Sequence, residues 1–236
     1  MITVAVFGAN GFVGKSVCSS LASKENFCVI PVTRDNNSVH IGKNYNIVIN
    51  AAAPAARFWA KNNPEKDFVE TVQKTADIFY GCTFDKFIQI STVSARCQLD
   101  TVYGRHKLAA ESICNFGNHL VVRLSSMFGE GLKKGVLIDM LMGNKIFLDA
   151  ESRYSFCSVD FVAGYITSNF DKTGVIEVGA SNALRLKDIA EHLNADVIFD
   201  GPFDVQEIEN PDISFPDSRE VFKYLDSMKT KLNLLQ

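Results

Sequence analysis

Tyr103 and Lys107, in the run Tyr103-Gly104-Arg105-His106-Lys107, are the pair whose types and spacing best suit chemistry on a carbonyl or an alcohol. On a helix that spacing puts the phenol and the ammonium on one face, a turn apart. A phenol is a poor acid-base group at its ordinary pKa of about 10, but a neighbouring cation favours phenolate. Tyr103 can then exchange a proton with a substrate oxygen while Lys107 biases it. Thr92 follows the apolar run Phe87-Ile88-Gln89-Ile90 and can donate a hydrogen bond that orients the same oxygen. Ser91 and Ser94 compete for that role. A Tyr and a Lys meet at this spacing often by chance, and Thr92 has a plain use as a loop cap. The weight rests on the three together.

Such a trio needs strands that end at one sheet edge. The N-terminal stretch supplies the first: Val4-Ala5-Val6-Phe7 runs into Gly8, Gly11 and Gly14, and the apolar period then changes to that of a helix at Val13, Val17 and Leu21. Gly8 permits the turn, Gly11 lets a phosphate approach the backbone, and Gly14 lets helix and strand pack closely. The free amides of the helix start suit a dinucleotide pyrophosphate. Phe27 to Thr33 reads as the second strand and ends at Arg34-Asp35, where an adenosine ribose belongs. A guanidinium suits a 2'-phosphate, so Arg34 favours NADP(H) over NAD(H), with Asp35 arguing the other way.

The segment from Asn36 to Asn46 is too short for a full strand and helix. Ile47 to Asn50 is the next strand, and the small residues Ala51, Ala52 and Ala53 let a cofactor lie against the backbone. A long helix capped by Asn63 and Pro64 should bury a stripe of Phe68, Val72, Ala76 and Phe79, with Gly81 closing it. Lys86 to Ile90 leads to Ser91 and Thr92, Asp100 or Thr101 caps the Tyr103 helix, and Leu120 to Leu124 is a further strand. Beyond it the alternation loosens. Short helices over 136–142 and 186–193, small strands at 146–148 and 197–199, a helix through Ile166, a strand at 175–178 and a terminal helix around 219–225 remain. The expected fold class is α/β, a Rossmann-type doubly wound parallel sheet with a small C-terminal lobe. The dinucleotide-binding domain spans 1–126, with 156–180 returning to it, and 127–155 with 181–236 form the small substrate-binding lobe.

At 236 residues the chain can bury a substantial core. Its formal charge of -3 and scattered basic residues give no track for a polyanion, so no nucleic-acid partner is expected. Six cysteines without a CxxC pair point to a reduced, cytoplasmic setting and to no metal site. The apolar run from Ile47 to Ala56 is interrupted by Asn50 and Pro54, so no membrane span is expected.

In these features the chain resembles the short-chain dehydrogenase/reductase superfamily, and most of all its extended branch acting on nucleotide sugars. Gly8-Ala9-Asn10-Gly11-Phe12-Val13-Gly14 matches the cofactor turn, Tyr103 to Lys107 the Tyr/Lys motif, and Ile90-Ser91-Thr92 the strand bearing the active-site Ser or Thr. Ile49 to Ala53, Arg123-Leu124 with Phe128 to Gly131, and Arg153 through Asp160 match more loosely. The resemblance implies cofactor contacts from Gly8, Asn10, Gly11, Phe12, Val13, Gly14, Arg34, Ala51, Ala52, Ala53 and Lys107. It implies catalysis by Thr92, Tyr103 and Lys107, and substrate contacts from Thr92, Ser94, Phe128 and Arg153, the last toward a diphosphate. The implied partners are a nucleotide-sugar substrate and a second copy, paired in a homodimer through helices 64–80 and 102–115.

Departures from the pattern narrow the reaction. Thr71-Val72-Gln73-Lys74-Thr75 stands where many relatives carry Asn-Val before Gly-Thr, and the link from Thr92 to Tyr103 is short. Val93 and Ser94 follow Thr92 where a 4,6-dehydratase needs acid-base side chains, which disfavours dehydration. An NADP(H)-dependent keto-sugar reductase is favoured. An epimerase retaining NAD is the alternative on the same residues, and a dinucleotide sensor without turnover is the alternative from another class.

Overall fold

The computed structural model describes residues 1–233. β1 (Ile2–Phe7) passes through the glycine turn into α1 (Phe12–Ala22), and β2 (Phe27–Val32) returns parallel to β1. One helical turn, α2 (Asn37–His40), precedes β3 (Asn44–Asn50). Then come α3 (Arg57–Asn62), α4 (Pro64–Phe68), a π-helical turn at Val69–Gln73, α5 (Lys74–Gly81) and β4 (Thr83–Thr92). A short α6 (Ser94–Cys97) leads to α7 (Val102–Cys114) and β5 (Leu120–Leu124). There follow β6 (Met127–Phe128), α8 (Val136–Leu141), β7 (Arg153–Tyr154) and β8 (Cys157–Ser158), then α9 (Val159–Ser168) and β9 (Gly174–Val178). β10 (Leu184–Arg185), α10 (Leu186–Leu193), β11 (Val205–Gln206) and α11 (Glu220–Asn233) complete the order.

The main sheet has the order β2-β1-β3-β4-β5-β9, and every pairing from β2 to β5 is parallel. This is a doubly wound Rossmann-type sheet whose strand order reverses between β1 and β3, where the ligand crevice of such sheets lies. The abbreviated stretch after β2 holds a single turn of helix and no strand, which leaves β2 at the edge. Burial on both faces explains why β1 and β3 read as continuous apolar runs: Val4 to Phe7 and Ile47 to Ile49 are all buried.

Two compact units divide the chain: Met1–Leu124 with Asp160–Ile176, and Ser125–Val159 with the residues from Glu177 onward. In the first, Phe7, Val48, Phe87 and Val121 of the sheet pack with Ile78 and Phe79 of α5 and Cys114 of α7. In the second, Phe128, Leu137, Met140, Tyr154, Phe156, Leu186, Ile189, Val221 and Leu225 form a separate core. The strands expected at 146–148 and 197–199 reduce there to one isolated bridge, Ile146 to Phe199. Short β6, β7, β8, β10 and β11 carry the remaining pairing of that unit.

The helix expected over 64–80 differs from its sequence reading. The π turn shifts the helical phase, and the buried face is Asp67, Thr71, Thr75, Ile78 and Phe79, while Phe68 stays 47% exposed and Val72 and Ala76 half-buried. The buried polar row is partly satisfied: Thr75 donates to the Thr71 carbonyl at 2.7 Å, and Asn50 Nδ2 donates to Thr75 Oγ1 and Gln89 Oε1 at 3.2 and 2.9 Å. Those bonds tie the C-terminal ends of β3 and β4 to α5. Among the described residues no helix is long and apolar enough to cross a membrane, no cluster suits a metal ion, and all six cysteines are free thiols.

Candidate active site

The glycine turn is built by close backbone approach. Gly8 has φ +81°, its amide donates to the Val32 carbonyl at 2.9 Å, and its carbonyl accepts from Gly11 at 2.8 Å. A Cβ on Gly8 would stand 2.5 Å from the Ala51 oxygen, so the loops after β1 and β3 meet at a point where only glycine fits. The Ala51 to Ala53 loop is itself shaped by Asn50, whose Oδ1 accepts from the Ala52 amide at 3.2 Å, and by the Ala51 amide on the Phe7 carbonyl at 2.9 Å. Gly11 caps α1 in an extended conformation with no side-chain bond, and the first turn holds no acidic group. The leading amides of α1 thus have no side-chain acceptor from the cap, and Asn10 and Gly11 are exposed beside them, with Gly14 buried beneath against Gly8. An uncapped helix start with no acidic side chain suits an anion such as a dinucleotide pyrophosphate on charge and hydrogen bonding. Arg34 and Asp35 lie exposed past the end of β2, on a turn that Asn36 braces by accepting from the Thr33 amide at 2.7 Å.

Thr92 ends β4, paired in register with Leu124 of β5. From there α6 folds straight back toward α7, an approach that requires Gly104: a Cβ on it would lie 2.1 Å from the Gln98 oxygen and 2.7 Å from that of Ser94. Thr101 caps α7 by accepting from the Gly104 amide at 3.0 Å. The short link thus sets Tyr103 in the first turn of α7 beside the end of β4. Lys107 follows one turn on, its Nζ 5.3 Å from the centroid of the Tyr103 ring. Both are buried, at 8% and 4% exposure.

Burial pushes the Tyr103 phenol up to about 12, against the pull of the Arg57 guanidinium and the Thr92 hydroxyl, and with a further push from Asp67. Burial also brings the Lys107 ammonium down to about 8, while Asp67 and Glu111 hold it up. The sequence spacing pointed to Lys107 as the charge acting on the phenol. In the structure the largest charge effect favouring phenolate is that of Arg57, from the start of α3.

Ser91 and Ser94 are differently placed. Ser91 donates to Glu111 Oε1 at 2.5 Å, and Glu111 also holds Arg123 through Nε and Nη2 at 3.0, 3.1 and 2.6 Å. That buried set braces β4 and β5 against α7, and it removes Ser91 from the candidates. Ser94 is buried, and its Oγ accepts from Thr92 Oγ1 at 3.3 Å. In the second unit, Arg153 is half-exposed and paired through Nε with Glu207 at 2.8 Å. Phe128 is buried in the core of that unit, its ring centroid 5.3 Å from that of Tyr224.

Sequence reasoning passed over Arg57, Asp67 and Glu111. Asp67 is fully buried and bonded to His106 Nδ1 at 2.7 Å. His106 lies inside the Tyr/Lys motif, but nothing local marks a residue 39 positions away as its partner.

No protein-family model and no curated protein sequence matches this chain. Solved structures do. A UDP-galactose 4-epimerase superposes with a TM-score of 0.76 at 18% identity, covering 98% of this chain and 100% of its own. A dTDP-4-dehydrorhamnose reductase from Bacillus anthracis, in complex with NADP, gives 0.73 at 17% over 97% and 99%. A UDP-glucuronic acid 4-epimerase from Bacillus cereus, in complex with UDP-glucuronic acid and NAD, gives 0.70 at 16% over 100% of both. The protein therefore has a Rossmann-type fold shared with these epimerases and reductases over nearly its whole length. At these identities the likeness is one of fold.

Proposed function

We propose that this protein is an NAD(P)-dependent oxidoreductase that reduces a keto group of a nucleotide-activated sugar. The observation that carries the reading is the gathering of Thr92, Tyr103 and Lys107 at the sheet edge that also carries the Gly8 to Gly14 cradle. The fold-level neighbours, which include sugar-nucleotide enzymes bound to NAD or NADP, support it.

A bound nicotinamide dinucleotide supplies or accepts the hydride. Gly8, Asn10, Gly11, Phe12, Val13 and Gly14 hold its pyrophosphate, Ala51 to Ala53 give it room, and Lys107 binds its nicotinamide ribose. Thr92 would turn its hydroxyl proton from Ser94 Oγ to the substrate oxygen, while the Ser94 amide keeps its hold on Thr92 Oγ1 at 3.2 Å. A phenol held up to about 12 is fully protonated near neutrality, so Tyr103 is ready to give its proton to the alkoxide formed on reduction. Arg57 then stabilises the phenolate until solvent reprotonates it. Arg153 would exchange Glu207 for a substrate diphosphate, with 127–155 and 181–236 serving as the substrate-binding lobe. Exposed Arg34 favours the 2'-phosphate of NADP(H) over NAD(H), and Arg34→Asp should reverse that ratio in a binding titration.

The test is Tyr103→Phe assayed with a panel of UDP- and dTDP-4-keto sugars and NADPH. Turnover should fall by about 100-fold or more, with dinucleotide affinity and the thermal midpoint little changed. A variant that keeps most of its activity would remove Tyr103 from the chemistry.

A further inference from the structure

Two carboxylates influence the buried Lys107 ammonium, and their surroundings differ. Glu111, on α7 itself, is neutralised in place: both its oxygens bond Arg123 of β5, and one also accepts from Ser91 of β4. Asp67 comes from α4 across the helix pair and is completely buried. Its Oδ2 meets His106 Nδ1 at 2.7 Å, whereas its Oδ1 is buried with no hydrogen-bond partner among the described residues. On the next turn, Thr71 Oγ1 is likewise buried and unpartnered. Burying a carboxylate with one oxygen unsatisfied costs stability, and in most settings would be selected against. Here the open oxygen belongs to a helix face turned toward the Tyr103–Lys107 helix.

We infer that Asp67 is a positioning residue for the Tyr103–Lys107 pair: held by His106 at one oxygen and unpaired at the other, its carboxylate is the counter-charge that keeps Lys107 an ammonium in a buried place. The inference rests on the reading of Lys107 as a cofactor-binding cation. His106 supports the arrangement from the same helix as Lys107, at 19% side-chain exposure and edge-on to Phe68. The other charged groups around the pair are Arg57 from α3, Glu111 on α7, and Arg123 from β5 behind Glu111, with Glu65 of α4 at the outer rim beside His106. Glu111 is shared with Arg123, and of the two carboxylates Asp67 has the larger effect on Lys107, which makes it the principal counter-charge. Its removal lowers the pH at which the ammonium is lost.

The experiment follows NADPH and NADH affinity by fluorescence from pH 6 to 10 for the wild type, Lys107→Met, Asp67→Asn and His106→Gln. Wild-type affinity should weaken as pH rises past about 8, where Lys107 gives up its proton. Asp67→Asn should move that weakening down by about one pH unit, while keeping the affinity seen at pH 6. His106→Gln, which can still donate to Asp67, should leave it within a few tenths of a unit. Lys107→Met separates the two readings: if it binds with wild-type affinity and pH dependence, the role given to Lys107 fails. If it abolishes the pH dependence and Asp67→Asn leaves the weakening where the wild type has it, the inference about Asp67 fails alone. Asp67→Ser serves where the amide variant does not fold. Loss of folding in both neutral variants would make Asp67 a structural residue and overturn the proposal.

Discussion

The carbonyl oxygen of Gly8 lies 2.2 Å from the point where a Cβ on Gly14 would stand. The obstacle is backbone, and it belongs to the residue that already holds φ +81° against the Ala51 loop, so neither side can yield cheaply. Gly14→Ala should destabilise by about 1–3 kcal/mol and reduce dinucleotide affinity, because the shift pushes the α1 amides away from the turn. Thermal unfolding and a dinucleotide titration check both effects. An alanine variant with wild-type affinity would show that the cradle is not where the cofactor sits.

Lys107 gives a stability signature that needs no substrate. Its ammonium is held near 8 in the folded protein against an ordinary 10.5. Between those values the unfolded chain binds the proton that the folded chain has lost, so stability rises with pH across that window. Tyr103, raised from 10.0 to about 12, acts the other way above pH 10, where the folded chain keeps a proton the unfolded chain gives up. At neutral pH the buried ammonium costs about 3 kcal/mol. Lys107→Met should therefore be more stable than the wild type at pH 7 by up to about that amount, with the advantage shrinking toward pH 10. Urea unfolding at several pH values measures the difference, and a variant less stable at pH 7 would contradict it.

What the sequence reveals follows from how local each signal is. The turn at Gly8 and the helix after it are written within one short stretch, and so is the run of strand, link and helix from Lys86 to Cys114. The Rossmann-type order follows from that alternation. The polar inner face of α4 to α5 could not be read, because a π turn breaks the period on which an apolar stripe is inferred, and Phe68 then faces outward. Arg57 and Asp67 were hidden for a second reason. Their effect on Tyr103 depends on where α3 and α4 are packed, and no spacing along the chain records that.

That outward apolar face is where the homodimer expected through helices 64–80 and 102–115 would pair. Phe68 and Val69 are each 47% exposed, and Val72 and Ala76 continue the stripe half-buried. A second copy laid along it would cover side chains that otherwise meet water. Phe68→Asp combined with Val69→Asp should convert a dimer to a monomer of 26.1 kDa by light scattering, with little change in the monomer's own unfolding because neither side chain is in the core. If the wild type is already monomeric at micromolar concentration, this face has another use.

Glu111 of α7 should also be costly to remove, for reasons apart from chemistry. Its carboxylate is 2% exposed and forms a fork with Arg123, whose side chain is 15% exposed, and it accepts from Ser91 as well. Glu111→Ala leaves a largely buried guanidinium and a buried hydroxyl without their acceptor, which should cost about 3–5 kcal/mol. Ser91→Ala, which removes one donor and leaves the ion pair intact, should cost only about 1 kcal/mol. Replacing both charges, Glu111→Leu with Arg123→Met, should recover much of the loss, because two desolvated ions give way to apolar side chains of similar volume. Urea denaturation of the wild type, Glu111→Leu, Arg123→Met and the double variant gives the coupling energy. A double variant as unstable as Glu111→Ala would mean that Glu111 stabilises α7 through something other than Arg123.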